Sequence, residues 1–172
     1  MTENPLQKLL PQGAIGFPVT PFHPDFSLDL EGFSRNLEIV LAEPFTSFVA
    51  AGGTGELYSL ARDEYLSVVR SAVDTANGRM PVIAGVGYGS HIAQIMASES
   101  EKLGASAILT LPPYYQNACF DGLLAYLKGI ARATSLPLIL YTRDWFHLNV
   151  EEAQRVADEV PTLWGWKDGQ GE

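Results

Sequence analysis

A chain of 172 residues, 47% of them hydrophobic and with charges of both signs along its length, reads as one soluble globular domain long enough to bury a core. Lys and Arg number 11 against 20 Asp and Glu, for a formal charge of -9. That balance argues against a surface built for nucleic acid or anionic lipid, since both are polyanions repelled at long range, but it leaves an anionic small substrate open.

Cys119 is the single cysteine, which excludes an intrachain disulfide and a cysteine-rich metal site and fits a reducing compartment. The segment Met1–Leu6 lacks a basic region followed by an apolar run, and no stretch approaches the ~18 apolar residues of a membrane span. A cytoplasmic location is the expectation. No linker, low-complexity tract or charged tail divides residues 1–172, so a single domain is expected.

Short apolar runs alternate with amphipathic segments, the pattern of βα units around a parallel sheet. A short helix is predicted around Leu6–Leu10, then a first strand over Ala14–Val19. Asp29 is placed to cap the first main helix, whose apolar positions Phe33, Leu37, Val40 and Leu41 fall at helical spacing. The second strand is Ser47–Ala51, and the second helix Glu64–Asn77 ends at Asn77-Gly78. A third strand, Val82–Val86, leads to a helix that starts after Ser90 as cap and stops at Leu103-Gly104. Ala107–Leu111, a helix over Phe120–Ala133, Leu138–Thr142, a helix over Val150–Glu159 and Leu163–Lys167 complete six strands and five helices. Such spacing suits either a doubly wound sheet or a (β/α)₈ barrel, and in both the chemistry collects at the C-terminal ends of the strands.

Four of those ends carry candidate residues. The second strand runs into Ala51-Gly-Gly-Thr-Gly-Glu56, where Gly52 and Gly53 free backbone N–H groups to face an anion and Thr54 adds a hydroxyl. The alternative reading is a tight turn in which the glycines supply positive φ. The run has neither the Gly-Lys-Ser/Thr ending of a Walker loop nor dinucleotide-type glycine spacing. The fourth strand exits through Leu111-Pro-Pro-Tyr-Tyr-Gln-Asn117, which throws Tyr115 into a loop as wall or as packing. The fifth ends at Tyr141, a rigidly held ring whose hydroxyl could relay protons or simply be a satisfied buried group. The sixth, Leu163-Trp-Gly-Trp-Lys167, alternates so that Leu163, Gly165 and Lys167 share one face and Trp164 and Trp166 the other. With the tryptophans outward, Lys167 points into the sheet's concave side above Gly165, where burial would favour a neutral, nucleophilic amine. The alternative is a lysine that reaches solvent.

Taken together these motifs resemble the class I aldolase-type family of dihydrodipicolinate synthase and N-acetylneuraminate lyase. Phe17-Pro-Val-Thr-Pro-Phe22 resembles its first-strand exit, Gly52–Glu56 its glycine-threonine carboxylate loop, and Pro113-Tyr-Tyr-Gln its tyrosine loop. Leu140-Tyr141 and Gly165-Trp-Lys167 are similar to its catalytic-tyrosine and lysine strands. Within the family, Gly52-Gly-Thr-Gly-Glu56, Tyr141-Thr-Arg-Asp144 and Lys167-Asp-Gly-Gln-Gly171 lean toward the 5-dehydro-4-deoxyglucarate dehydratase branch, with Thr142 departing from an asparagine. The synthases' arginine five residues beyond the tyrosine falls here on Phe146, which counts against a synthase.

The resemblance implies a (β/α)₈ TIM barrel in which Lys167 forms a Schiff base with a 2-keto sugar acid. Gly52, Gly53 and Thr54 would hold the carboxylate, Tyr141 would relay protons, and Tyr115 would join the relay or the wall, in this family often across a subunit contact. The implied reaction is dehydration and decarboxylation of 5-dehydro-4-deoxy-D-glucarate to 2,5-dioxopentanoate, without metal or organic cofactor, in a homo-oligomer. A full barrel typically needs ~250 residues. Six βα units therefore imply a barrel truncated by two, with the first and sixth strands as edges. A dihydrodipicolinate synthase-like enzyme, a 2-keto-acid aldolase and a non-catalytic remnant stay open as alternatives.

Overall fold

Six parallel strands stand side by side in chain order, β1-β2-β3-β4-β5-β6, in a computed structural model that describes residues 13–113 and 115–170. They are β1 (Ala14–Gly16), β2 (Phe45–Ala50), β3 (Val82–Val86), β4 (Ala107–Thr110), β5 (Leu138–Thr142) and β6 (Leu163–Asp168). This order decides between the two architectures, because a doubly wound sheet reverses its strand order at a switch point and a barrel does not. The described residues thus form six strands and five connecting helices of a (β/α)₈ barrel as an open arc, with β1 and β6 at its edges.

The helices α1 (Leu30–Ala42), α2 (Arg62–Ala76), α3 (Ser90–Leu103), α4 (Phe120–Ala133) and α5 (Val150–Glu159) connect them. Local chemistry explains several of their ends. Asp29 accepts a bond from the Gly32 amide at 2.7 Å, and Asn149 caps α5 by accepting from the Glu152 amide while Glu152 accepts from the Asn149 amide. Asn77 and Gly104 close α2 and α3 in the left-handed region, at φ 43 and 93. Ser90 is not the cap of α3 but its first residue, and Gly89 takes the cap position without a side-chain bond. The helix expected around Leu6–Leu10 lies outside the described residues.

β1 is shorter than Ala14–Val19 because Pro18 has no N–H to continue the ladder. β3 and β4 are buried along their whole length, as strands covered on both faces must be, whereas the edge strands β1 and β6 are only partly covered. One row of paired residues lines the concave side: Val49 opposite Ile83, Gly85 opposite Leu109, Leu109 opposite Ile139, and Ile139 opposite Gly165. Val49, Ile83, Leu109, Ile139 and Gly165 of this row, with Ile15 and Phe17, wall an apolar hollow of about 270 Å³. A register irregularity between β5 and β6 sets Leu163 opposite Leu138, in the outward row, and Gly165 opposite Ile139. Simple alternation therefore fails at the start of β6: Leu163 joins the outward row, and both Trp164 and Trp166 border the inner hollow. Beyond that irregularity the alternation holds, and Lys167 stands opposite Tyr141.

Candidate active site

At the C-terminal ends of the strands a cavity of about 220 Å³ is lined by Phe17, Gly53, Thr54, Tyr141, Arg143 and Lys167, with Leu109 as its floor. The residues come from the ends of β1, β2, β5 and β6, brought together because neighbouring parallel strands all finish on the same side of the sheet. Lys167 is half-buried, and its Nζ lies 3.3 Å from the centroid of the Tyr141 ring and 5.6 Å from that of Phe17. The faces of both rings, which carry negative potential, are thus turned toward Nζ. The lysine meets the face of Tyr141 and leaves the hydroxyl at the ring's rim.

The Arg143 guanidinium carbon is 5.8 Å from the Tyr141 centroid. The carboxylate of Asp144, which accepts from Arg143 Nε at 2.6 Å, holds this guanidinium more firmly protonated than usual, with smaller contributions from Tyr141. A turn fixes the segment: the Phe146 amide donates to the Arg143 carbonyl at 2.9 Å and the Phe146 side chain is fully buried. Phe146 therefore anchors the loop from below, and Arg143 is the arginine that reaches the cavity.

The glycine loop owes its glycines to close packing, and not to the positive φ that a tight turn suggests. The left-handed conformations fall on Ala51 (φ 49) and Glu56 (φ 57). A Cβ on Gly52 would stand 2.9 Å from Val49 Cγ1, and one on Gly55 would stand 3.1 Å from the Ala51 backbone. Gly53 meets nothing within 4 Å and opens into the cavity beside Thr54. Two residues outside the loop hold it in place. Thr20 Oγ1 donates to the Gly55 carbonyl at 2.7 Å in a buried setting, and Gly85 of β3 lets the chain pass so closely that a Cβ there would sit 2.1 Å from the Ala51 carbonyl oxygen. Farther along, Tyr58 donates to the Pro112 carbonyl at 2.6 Å and meets the Tyr88 ring edge-on at 5.0 Å between centroids. Burial pushes the Tyr58 hydroxyl up to about 12. These contacts tie the turn after β2 to the exit of β4.

Of the residues singled out from the sequence, Lys167, Tyr141, Gly53 and Thr54 share one cavity. Gly52 is buried beneath it, packed on Val49 and near Phe17. Tyr115 is 85% exposed and is not among the lining residues. Arg143, Thr20 and Gly85 were not singled out as site residues, although Arg143 lies in the run Tyr141-Thr-Arg-Asp144 and Thr20 in Phe17-Pro-Val-Thr-Pro-Phe22; Gly85 carried no signal. A larger hollow of about 460 Å³ lies away from the lysine, on the outward side of β5 and β6, between Thr142, His147, Trp166, Asp168 and Gln170. Trp166 Nε1 donates to Thr142 Oγ1 there at 2.9 Å. Among the described residues no group of three or more His, Cys, Asp or Glu side chains is arranged to hold a metal ion, and no helix is long and apolar enough to cross a membrane.

Comparison with known proteins agrees with this layout. A model of the Dihydrodipicolinate synthetase family matches residues 10–172. The chain belongs to the dihydrodipicolinate synthetase family. A member from Bradyrhizobium sp. strain BTAi1, named a probable 5-dehydro-4-deoxyglucarate dehydratase, is 40% identical over all of this chain and 55% of its own length. A protein of the same name from Xanthomonas campestris pv. campestris strain 8004 is 41% identical over 99% of this chain and 56% of its own. The chain thus spans little more than half the length of these relatives. Among solved structures of the dihydrodipicolinate synthase type, the chloride-inhibited enzyme from Acinetobacter baumannii complexed with pyruvate is 36% identical, with a TM-score of 0.87 over 94% of this chain and 56% of that one. The enzyme from Aquifex aeolicus is 27% identical, with a TM-score of 0.88 over 94% and 56%.

Proposed function

We propose that this chain carries the Schiff-base half-site of a lyase that acts on a 2-keto sugar acid, with 5-dehydro-4-deoxy-D-glucarate as substrate. The observation that carries the reading is the convergence of Lys167, Tyr141, Gly53 and Thr54 on one cavity at the strand ends. A lysine amine beside a carboxylate cradle is what condensation with a 2-keto acid needs. The names of the relatives at 40% and 41% identity support the choice of substrate.

In this mechanism the Lys167 ammonium first gives up a proton, and the resulting amine adds to the ketone carbon, whose oxygen leaves as water to give an iminium. Gly53 and Thr54 hold the adjacent carboxylate meanwhile. The iminium draws electrons from the neighbouring CH₂, which loses a proton to form an enamine. The enamine expels the next hydroxyl, which departs as a second water once protonated, and Tyr141 is assigned to move these protons. Loss of the far carboxylate as CO₂ sends its electron pair back toward the iminium nitrogen. Ketonisation of the resulting enol and hydrolysis then release 2,5-dioxopentanoate and the free lysine. The ring face of Tyr141 stabilises the iminium as it would the ammonium.

Tyr115, exposed in a single chain, is assigned to the neighbouring subunit's site in a homo-oligomer, and the protein is assigned to the cytoplasm. A second reading, in which the same lysine uses pyruvate for a synthase or aldolase reaction, is favoured by the 36% identity to a synthase complexed with pyruvate. Incubation with 5-dehydro-4-deoxy-D-glucarate separates them. The dehydratase reading expects CO₂ and 2,5-dioxopentanoate in equal amounts, and pyruvate released from the sugar acid instead would overturn it in favour of an aldolase.

A further inference from the structure

The cavity around Lys167 does not end at the lysine. A second hollow of about 260 Å³, lined by Tyr58, Leu111, Pro112, Gln116, Asp144 and Trp145, shares Gly53 and Arg143 with it. A ligand bonded to Lys167 with one carboxylate at Gly53 and Thr54 would run past Arg143 as its chain lengthens. Arg143 is fixed for that position by the turn to Phe146 and by its Nε bond to Asp144. The two terminal nitrogens of its fork form the edge that suits an end-on carboxylate.

Charge points the same way. Lys167 and Arg143 are both held against the Tyr141 ring, and like charges so close repel unless an anion lies between or beside them. Asp144 offsets part of this from the far side. A substrate with one carboxylate would leave one of the two cations uncompensated, and a substrate with two would satisfy both.

We propose that Arg143 is a specificity-determining residue that selects keto acids with a second carboxylate by pairing with the anion at the substrate's far end. The inference rests on the Schiff-base reading above, and the test keeps the two apart. The probes are pyruvate, the six-carbon keto-diacid 2-oxohexanedioate, and the same diacid esterified with methanol at its far carboxylate. Each is incubated with the protein and trapped with borohydride, and the concentration for half-maximal labelling of the Lys167 peptide is read by mass spectrometry.

In the unaltered protein the diacid should label at concentrations about tenfold or more below those its ester requires, the scale of a charge-assisted hydrogen bond. Arg143→Gln should raise the half-labelling concentration of the diacid about tenfold relative to that of pyruvate measured in the same variant. Equal labelling by diacid and ester in the unaltered protein overturns the role of Arg143 while leaving the Schiff base standing, and that comparison needs no variant to fold. A parallel loss for pyruvate and diacid in a natively folded Arg143→Gln protein overturns it too. Failure of all three probes to label Lys167 overturns the Schiff-base reading and this inference with it.

Discussion

Lys167 and Tyr141 stand opposite each other in the β5–β6 register, and the lysine Nζ lies 3.3 Å from the centroid of the tyrosine ring. The contact divides the tyrosine into two functions, a π face that stabilises positive charge at Nζ and a hydroxyl at the rim available for proton transfer.

Two variants separate those functions. Tyr141→Phe keeps the face and removes the hydroxyl, so trapping of pyruvate on Lys167 should change little. Exchange of the pyruvate methyl protons for deuterium, followed by NMR, should slow by about 10²-fold or more, the usual scale of a lost general acid–base group. Tyr141→Leu loses both functions and should also weaken trapping. Equal exchange rates in Tyr141→Phe and the unaltered protein would remove the hydroxyl from the mechanism.

The glycine loop offers a contrast between packing and binding. Gly85→Ala forces a Cβ to within 2.1 Å of the Ala51 carbonyl oxygen and should cost about 1–3 kcal/mol in urea unfolding, the range for overpacking. Gly53→Ala enters open space without a positive φ and should change stability by less than about 0.5 kcal/mol. It should nevertheless weaken pyruvate trapping, because the new methyl group occupies the carboxylate's side of the cavity.

Thr20 tests the support beneath the loop. Thr20→Val keeps the shape of the side chain but leaves the buried Gly55 carbonyl without its 2.7 Å donor, at an expected cost of about 1–3 kcal/mol. A variant with unchanged unfolding midpoint would show that water replaces the hydroxyl.

Alkaline pH should destabilise the fold through its buried tyrosines. Burial pushes Tyr58 up to about 12 and raises Tyr65 and Tyr126 as well. Each group's folded value lies above its unfolded value of about 10, so the unfolded chain gives up its proton first. The stabilisation is complete below about pH 10 and is lost as pH rises through the folded values. Urea midpoints measured across that range should fall, and fall less in Tyr65→Phe, since the Tyr65 ring is fully buried and its hydroxyl bonds the Ser100 hydroxyl at 2.7 Å.

Much of the barrel was legible because its strands are continuous apolar runs and its helices carry local punctuation. β3, β5, α4 and α5 lie where periodicity puts them, and Asp29, Asn77 and Gly104 end helices by chemistry visible in one dimension. What could not be read depends on approach in space. Periodicity cannot order strands, so barrel and doubly wound sheet separate only when β1 to β6 are seen in sequence. Nothing in Val82–Val86 announces that Gly85 makes room for a loop from another strand, and the glycines after Ala51 suggest a φ requirement that Ala51 and Glu56 meet instead. The irregularity at Trp164 breaks the two-residue alternation that places side chains on faces, but Lys167 lies beyond it and keeps its side. Arg143 is visible in the run Tyr141-Thr-Arg-Asp144, but that it lines the cavity follows only from the fold, where the turn to Phe146 and the bond to Asp144 hold it.

The central claim is that Lys167 forms a Schiff base with a 2-keto acid, and borohydride trapping with pyruvate followed by peptide mass mapping tests it most directly. The account predicts a reduced pyruvate adduct on the peptide that contains Lys167, absent in Lys167→Arg. Folded, unaltered protein with no adduct, or with an adduct that persists in Lys167→Arg, would contradict it.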